Sequence, residues 1–225
     1  MKKGFRVFEC SLDFGLSILF DTPLLPMTRK IIKYFWLIAA VFALAACSPD
    51  KPKFNSIDVT GADYANGFTL TDHNGQSRSL SDFKGKVVVL FFGYTQCPDV
   101  CPTSMTELVE IKRLLGAEGD KLQGVFVTVD PARDTAELLK AYMVNFDPTF
   151  VAFVPTLEQL AGVAKDYKIY YKRVEGKTPT SYTVDHSAGS YVYDTQGNLR
   201  LYSRYGVGAQ VLAQDIQTLI KTTPK

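Results

Sequence analysis

Histidine and cysteine are scarce in this chain, which has two histidines, four cysteines and one tryptophan among 225 residues. Scarcity of those ligands argues against a structural zinc site, which normally takes four of them. Charge of one sign is lacking too. The formal charge is +2, with six Lys or Arg against three acids in residues 1–47 and nineteen against twenty in the rest. Without a basic field to neutralise a run of phosphates, nucleic acid is a poor partner. No internal repeat is visible, and no apolar run reaches the roughly 20 residues that a membrane-spanning helix needs. What is left, 46% hydrophobic and 21% charged, is the composition of a globular protein with room for one sizeable core.

The apolar stretch that does exist lies early. From Met27 the chain reads "MTRKIIKYFWLIAAVFALAAC", with basic Arg29, Lys30 and Lys33, an apolar run from Tyr34 to Ala46, and small residues ahead of Cys47. That order is a secretory signal over 27–46. Its ending "LAAC" resembles the bacterial lipobox, which implies that Cys47 is diacylated and becomes the first residue of an exported, lipid-anchored protein. Residues 1–26 stand upstream of a complete signal with its own Met and read as a start assigned too early. Residues 47–63, rich in Ser, Pro, Asp, Asn and Gly, read as the lipidated cysteine and a flexible tether. The globular domain is then expected over 64–225.

Two disulfides are the first reading of four cysteines in an exported chain. Cys10, however, falls in the upstream segment, and lipid consumes Cys47. Cys97 and Cys101 remain as the thiols of the domain, so their chemistry is shared.

Along the domain, "FTLTDHNGQSRSLSDFKGK" places two alternating segments around Asn74-Gly75 and predicts an entrance hairpin. "VVVLFFG" (87–93) is a continuous apolar run suited to a strand buried on both faces, and "LQGVFVTVD" is a second. Between them, 103–115 carries Met105, Leu108, Val109, Ile111, Leu114 and Leu115 at helical spacing, which makes a parallel βαβ unit. "DTAELLKAYMVNF" predicts a helix capped by Asp134 with Glu137 three residues on, and "TLEQLAGVAKDY" one capped by Thr156. "KIYYKRVEGKTPTSYTVD" reads as a short aromatic strand and a long polar excursion. A hairpin turning at Gly197 and a closing amphipathic helix, "AQVLAQDIQTLIKT", complete the chain. This order is that of an α/β thioredoxin-like fold of the peroxiredoxin type, with a central mixed sheet flanked by helices and an N-terminal β-hairpin. In such folds the reactive cysteines lie between the first central strand and the next helix, where Cys97 and Cys101 fall.

Cysteines four apart on a helix share a face, a geometry suited to gripping a metal ion. Pro98 and Pro102 modify it, placing Cys97 in the loop and Cys101 at or just before the first turn. The positive end of the helix dipole then favours thiolates, which serve metal ligation and redox exchange alike. His73, in a polar turn, reads as a solvent-exposed turn residue. His186 by itself is an ordinary strand-entrance histidine, but in this fold its loop packs against the cysteine loop, and Asp185 beside it can orient or tune the ring. Two thiolates and one imidazole form a soft, three-coordinate set that disfavours Zn(II), selects Cu(I), and can accept Cu(II) with a further contact.

The strings "DFKGKVVVLFFGYTQCPDVCPTSM", "VFVTVDPARDT" and "VDHS", in that order, resemble the signature blocks of the Sco/SenC family of copper-binding assembly proteins for cytochrome c oxidase. The resemblance runs from about Tyr64 to the last helix. It implies copper on Cys97, Cys101 and His186, a role in maturing the CuA centre on the oxidase's periplasm-facing subunit, and dealings with other periplasmic copper chaperones or thiol reductants. Asp130 in the VDP block is either a charge-tuning neighbour of the metal or a turn-former ahead of Pro131. Gln96 stands where many members carry another polar residue, often His, and the lipobox replaces the family's usual membrane helix. Two functions stay open on the residues. A copper metallochaperone needs His186, whereas for a thiol-disulfide reductase, the enzymatic alternative, the redox pair Cys97 and Cys101 suffices.

Overall fold

The structure, a computed structural model, describes residues 52–178 and 181–223. The chain enters through β1 (Ile57–Asp58) and a hairpin of β2 (Thr69–Thr71) and β3 (Ser77–Ser79). β4 (Val87–Gly93), α1 (Val100–Leu114) and β5 (Leu122–Thr128) form the parallel unit. α2 (Ala136–Val144), β6 (Val151–Phe153) and α3 (Leu157–Asp166) follow. A second hairpin, β7 (Tyr171–Val174) with β8 (Thr183–His186), precedes β9 (Ser190–Tyr193), β10 (Leu199–Ser203) and the closing α4 (Ala209–Thr222).

Six strands make one mixed sheet in the order β1-β10-β9-β4-β5-β6, with β4, β5 and β6 parallel and the other neighbours antiparallel. This is the thioredoxin-like arrangement that the element order predicts. Every residue of β4 and β5 is buried, as a strand covered on both faces requires. Each large apolar side chain so buried contributes about 1.5–3 kcal/mol, so these two strands are the rigid base of whatever sits at their ends. The sequence change from strand to CPDVCP falls at the C-terminal end of β4, where ligands gather in α/β sheets.

Several expectations are corrected. Residues ahead of Tyr64 belong to the folded domain, since Ile57 and Asp58 pair with Tyr202 and Leu201 of β10. The N–H groups of Asn55 and Ser56 each donate to the buried Asp215 carboxylate of α4 at 2.8 Å. A two-residue strand leaves too short a pattern to show through a polar composition. α1 begins at Val100 rather than 103, with Cys101 and Pro102 inside its first turn. Pro is tolerated there because first-turn N–H groups have no intrahelical acceptor to lose. α2 is capped by Thr135, whose side chain accepts from Leu138 N–H, not by Asp134. Thr156 does cap α3, in a capping box with Gln159. The polar excursion is a hairpin whose second strand ends on His186. Residues 1–51, on which the expected signal, lipobox and lipidated Cys47 fall, lie outside the described residues. No described helix is long and apolar enough to cross a membrane.

Candidate metal centre

Three elements meet at the end of β4. Cys97 lies in the loop, held by its N–H donating to the Tyr94 carbonyl at 3.2 Å, and Cys101 is fully buried in the first turn of α1. His186 ends β8. The two sulfurs and a ring nitrogen lie within 4.8 Å of one another, and no other such cluster of three metal-ligating side chains occurs among the described residues. Sγ of Cys101 is 3.5 Å from His186 Nε2. A trigonal ion with metal–sulfur bonds near 2.3 Å separates its donors by about 4 Å, so closure on an ion asks for shifts under about 1 Å. Two thiols and one imidazole fit a soft ion.

The ring of His186 is oriented by its surroundings. Nδ1 lies 2.9 Å from the Ser187 carbonyl, and because a carbonyl only accepts, Nδ1 carries the proton and Nε2 turns its lone pair to the sulfurs. Phe91 and Tyr94 meet the imidazole in edge-to-face contacts at 6.1 and 5.9 Å. Burial holds the ring's pKa below the ordinary histidine range, which keeps it a neutral ligand near neutrality. Of the two roles expected of Asp185, tuning the ring is the one its position allows. Its side chain is exposed on β8, and it acts on His186 through charge, opposing the effect of burial.

The helix end does not favour the Cys101 thiolate as predicted; burial pushes that thiol's pKa well up, with the neighbouring Cys97 adding to the shift. A helix N-terminus stabilises an anion by at most about 2 kcal/mol, while withdrawing an unpaired thiolate from water costs more. Cys101 therefore keeps its proton until a cation or an oxidant takes its place. Gly93 makes this packing feasible, since a Cβ there would lie 2.8 Å from Cys101 Sγ, 2.8 Å from Phe91 and 2.9 Å from Phe126. A cleft of about 330 Å³, lined by Tyr94, Cys97, Pro98, Val184 and His186 among others, opens onto the cluster.

Of its two expected roles, Asp130 takes that of turn-former ahead of Pro131. Its carboxylate accepts from Arg133 Nε at 2.5 Å and from the Tyr182 hydroxyl at 2.8 Å, and it is not among the clustered donors. The turn it heads is closed by its backbone carbonyl, which accepts from the N–H of Arg133 and of Asp134. Sequence reasoning missed Arg133, Asp134 and Tyr182. Asp134 is fully buried and accepts from Thr95 N–H at 3.1 Å, Thr95 Oγ1 at 2.5 Å and Thr128 Oγ1 at 2.6 Å, which pins the cysteine loop to the end of β5. Gln96 is not idle either, as it accepts from Arg133 Nη1 at 3.0 Å. A clue lay in the RDT run after Pro131, where a cation and a second acid follow Asp130 within one turn.

With the site in place, comparison with known proteins is informative. A family model described as SCO1/SenC matches residues 58–221. The chain belongs to the SCO1/SenC family. An SCO2-like protein of Rickettsia felis is 32% identical over 181 residues, 76% of this chain and 88% of the relative. Copper-bound ScoI of Bradyrhizobium japonicum is 38% identical with a TM-score of 0.61, covering 67% of this chain and 96% of that one. Copper-bound yeast Sco1 is 28% identical with a TM-score of 0.64, over 70% of this chain and 88% of that one. The SCO1/SenC match begins at Asp58, the second residue of β1.

Proposed function

We propose that this SCO1/SenC chain is an exported copper metallochaperone, lipid-anchored through Cys47 on the periplasmic side of the membrane, that carries copper on Cys97, Cys101 and His186 for assembly of the CuA centre of cytochrome c oxidase. The observation that carries this reading is the convergence of two thiols and an imidazole, from segments 85 residues apart, within 4.8 Å. The copper-bound relatives support the choice of ion, and the signal and "LAAC" at 27–47 support the anchor. Copper binding displaces the thiol protons, so the site loads only when the cysteines are reduced. CuA-bearing subunit, copper donors and thiol reductants are its partners in this reading.

Anaerobic titration of the reduced chain against a Cu(I) chelator tests it. One Cu(I) per chain is expected, and a Cys97→Ser variant of unchanged affinity would overturn the reading. In a deletion strain, rescue of oxidase assembly by added copper points to delivery. Mass spectrometry of the mature N-terminus tests the anchor, which falls if the mature chain does not begin at a lipidated Cys47.

A second reading, thiol-disulfide reductase acting on the oxidase's CuA-site cysteines, is favoured by two free thiols whose sulfurs lie within 4.8 Å of each other, Cys97 lining the cleft and Cys101 buried beside it. Unimpaired assembly in a His186→Ala strain with intact thiol chemistry would select it.

A further inference from the structure

We propose that Arg133 is the positioning residue of this centre, its guanidinium fixing the loop that carries Cys97 against the strand that carries His186. The inference rests on the metal reading above and deepens it by saying what sets the sulfur-to-imidazole distance.

The problem it solves is one of topology. Cys101 stands on a helix rooted between two central strands, but β7 and β8 pair only with each other, in a two-stranded sheet apart from the main one. His186 therefore rides on an element that no strand ladder registers against the cysteines. Arg133 spans that gap. Its Nη1 donates to Gln96 Oε1 at 3.0 Å, next to Cys97, and to the Tyr182 carbonyl at 2.9 Å, four residues before His186. Its Nε donates to Asp130 at 2.5 Å, at the end of β5. One rigid plane thus joins the cysteine loop, the central sheet and the hairpin.

The aromatic contacts tighten the same clamp. The guanidinium lies 3.5 Å from the centre of the Tyr182 ring and 5.7 Å from that of Tyr94. Tyr182 in turn donates its hydroxyl to Asp130 at 2.8 Å. The Tyr94 ring also packs on the imidazole. The side chain of Arg133 is 14% exposed, so water does not substitute readily for these partners. Nη2 is buried without a protein acceptor among the described residues, a sign that the position of the plane is dictated by its other contacts. Lysine can keep the charge beside Asp130, but a point charge cannot reach all three acceptors at once.

The test uses Arg133→Lys, which retains the charge, and Gln96→Ala, which removes only the arm to the cysteine loop, in the purified full chain in detergent. In the reduced, metal-free protein, Arg133→Lys is expected to weaken the nuclear Overhauser contacts between the His186 and Tyr94 rings while melting temperature and thiol titre hold. Cu(I) affinity should fall about tenfold, the scale of one hydrogen bond to a charged group, and Gln96→Ala should fall in the same direction by less. In a His186→Ala background, Arg133→Lys should change affinity by less than about twofold, because the residue acts through the imidazole. Equal losses in both backgrounds, or ring contacts that survive Arg133→Lys unchanged, overturn the proposal. If His186→Ala leaves Cu(I) affinity intact, the metal reading of His186 fails instead, and the ring contacts of the metal-free protein still decide whether Arg133 places that side chain.

Discussion

The two histidines of this chain are half-buried and each has a ring nitrogen on the backbone, yet they do opposite things. His73 sits in the entrance turn, where Nδ1 accepts from the Ala152 N–H at 3.0 Å and its own N–H donates to the Ala152 carbonyl at 2.8 Å. The ring and the backbone of His73 thus stitch the β2–β3 turn to edge strand β6. His186 spends its Nδ1 proton on the Ser187 carbonyl and turns its Nε2 lone pair to Cys101 at 3.5 Å. Neither residue type nor burial separates a ligand from a staple. What separates them is what faces the nitrogen that the backbone leaves over, the Asn74 side-chain amide 3.2 Å from Nε2 of His73 and the Cys101 sulfur at Nε2 of His186.

Substitutions at the site end should break the contrast most. His186→Ala removes the one nitrogen donor of the cluster, and Cu(I) affinity should fall about a hundredfold, about 2.7 kcal/mol, with little change in melting temperature; competition titration and thermal unfolding together read this out. Gly93→Ala sharpens the contrast from the packing side. The added methyl meets Cys101 Sγ at 2.8 Å and two buried rings at the end of β4, so a loss of about 2–3 kcal/mol in unfolding free energy is expected, together with weakened copper binding. Unchanged stability would mean that the sulfur is free to move away. Asp134→Ala leaves Thr95 N–H and Thr128 Oγ1 without their acceptor. It should cost about 2 kcal/mol and loosen the cysteine loop, seen as faster alkylation of Cys101. Slower or equal alkylation would refute the role given to Asp134.

How much of this was legible beforehand follows the length of each signal. Strands β4 and β5 and helix α3 announced themselves through continuous or periodic apolar runs and a Thr156 cap. The clustering of Cys97, Cys101 and His186 was legible because chemistry limits the options: two thiols and two histidines in the domain leave few combinations. The supporting network was not. Arg133, Asp134 and Tyr182 are 49 residues apart at their extremes, and Asp134 in the sequence looks like a helix cap because Asp-Thr ahead of "AELL" offers two cap candidates in succession. The chain uses the threonine to cap and sends the acid inward. Likewise, the rise in the Cys101 pKa depends on burial against Gly93, which is a matter of packing and not of position along a helix.

The smallest effect belongs to the other histidine. His73→Ala deprives the buried Ala152 N–H of its acceptor, but His73 is only half-buried, so water can partly take the place of the ring. A cost of about 1 kcal/mol follows, a drop of about 2–4 °C in melting temperature for a domain of this size. Cu(I) affinity should not move, because the turn is tied to β6 and the site is built at β4, α1 and β8. His73→Asn refines the point: its side-chain oxygen sits near the place of Nδ1 and can accept from the same N–H, so part of the lost stability should return. If His73→Ala lowered copper affinity as far as His186→Ala, the division of labour between the two rings would be wrong, and the entrance hairpin would have to be counted as part of the metal site.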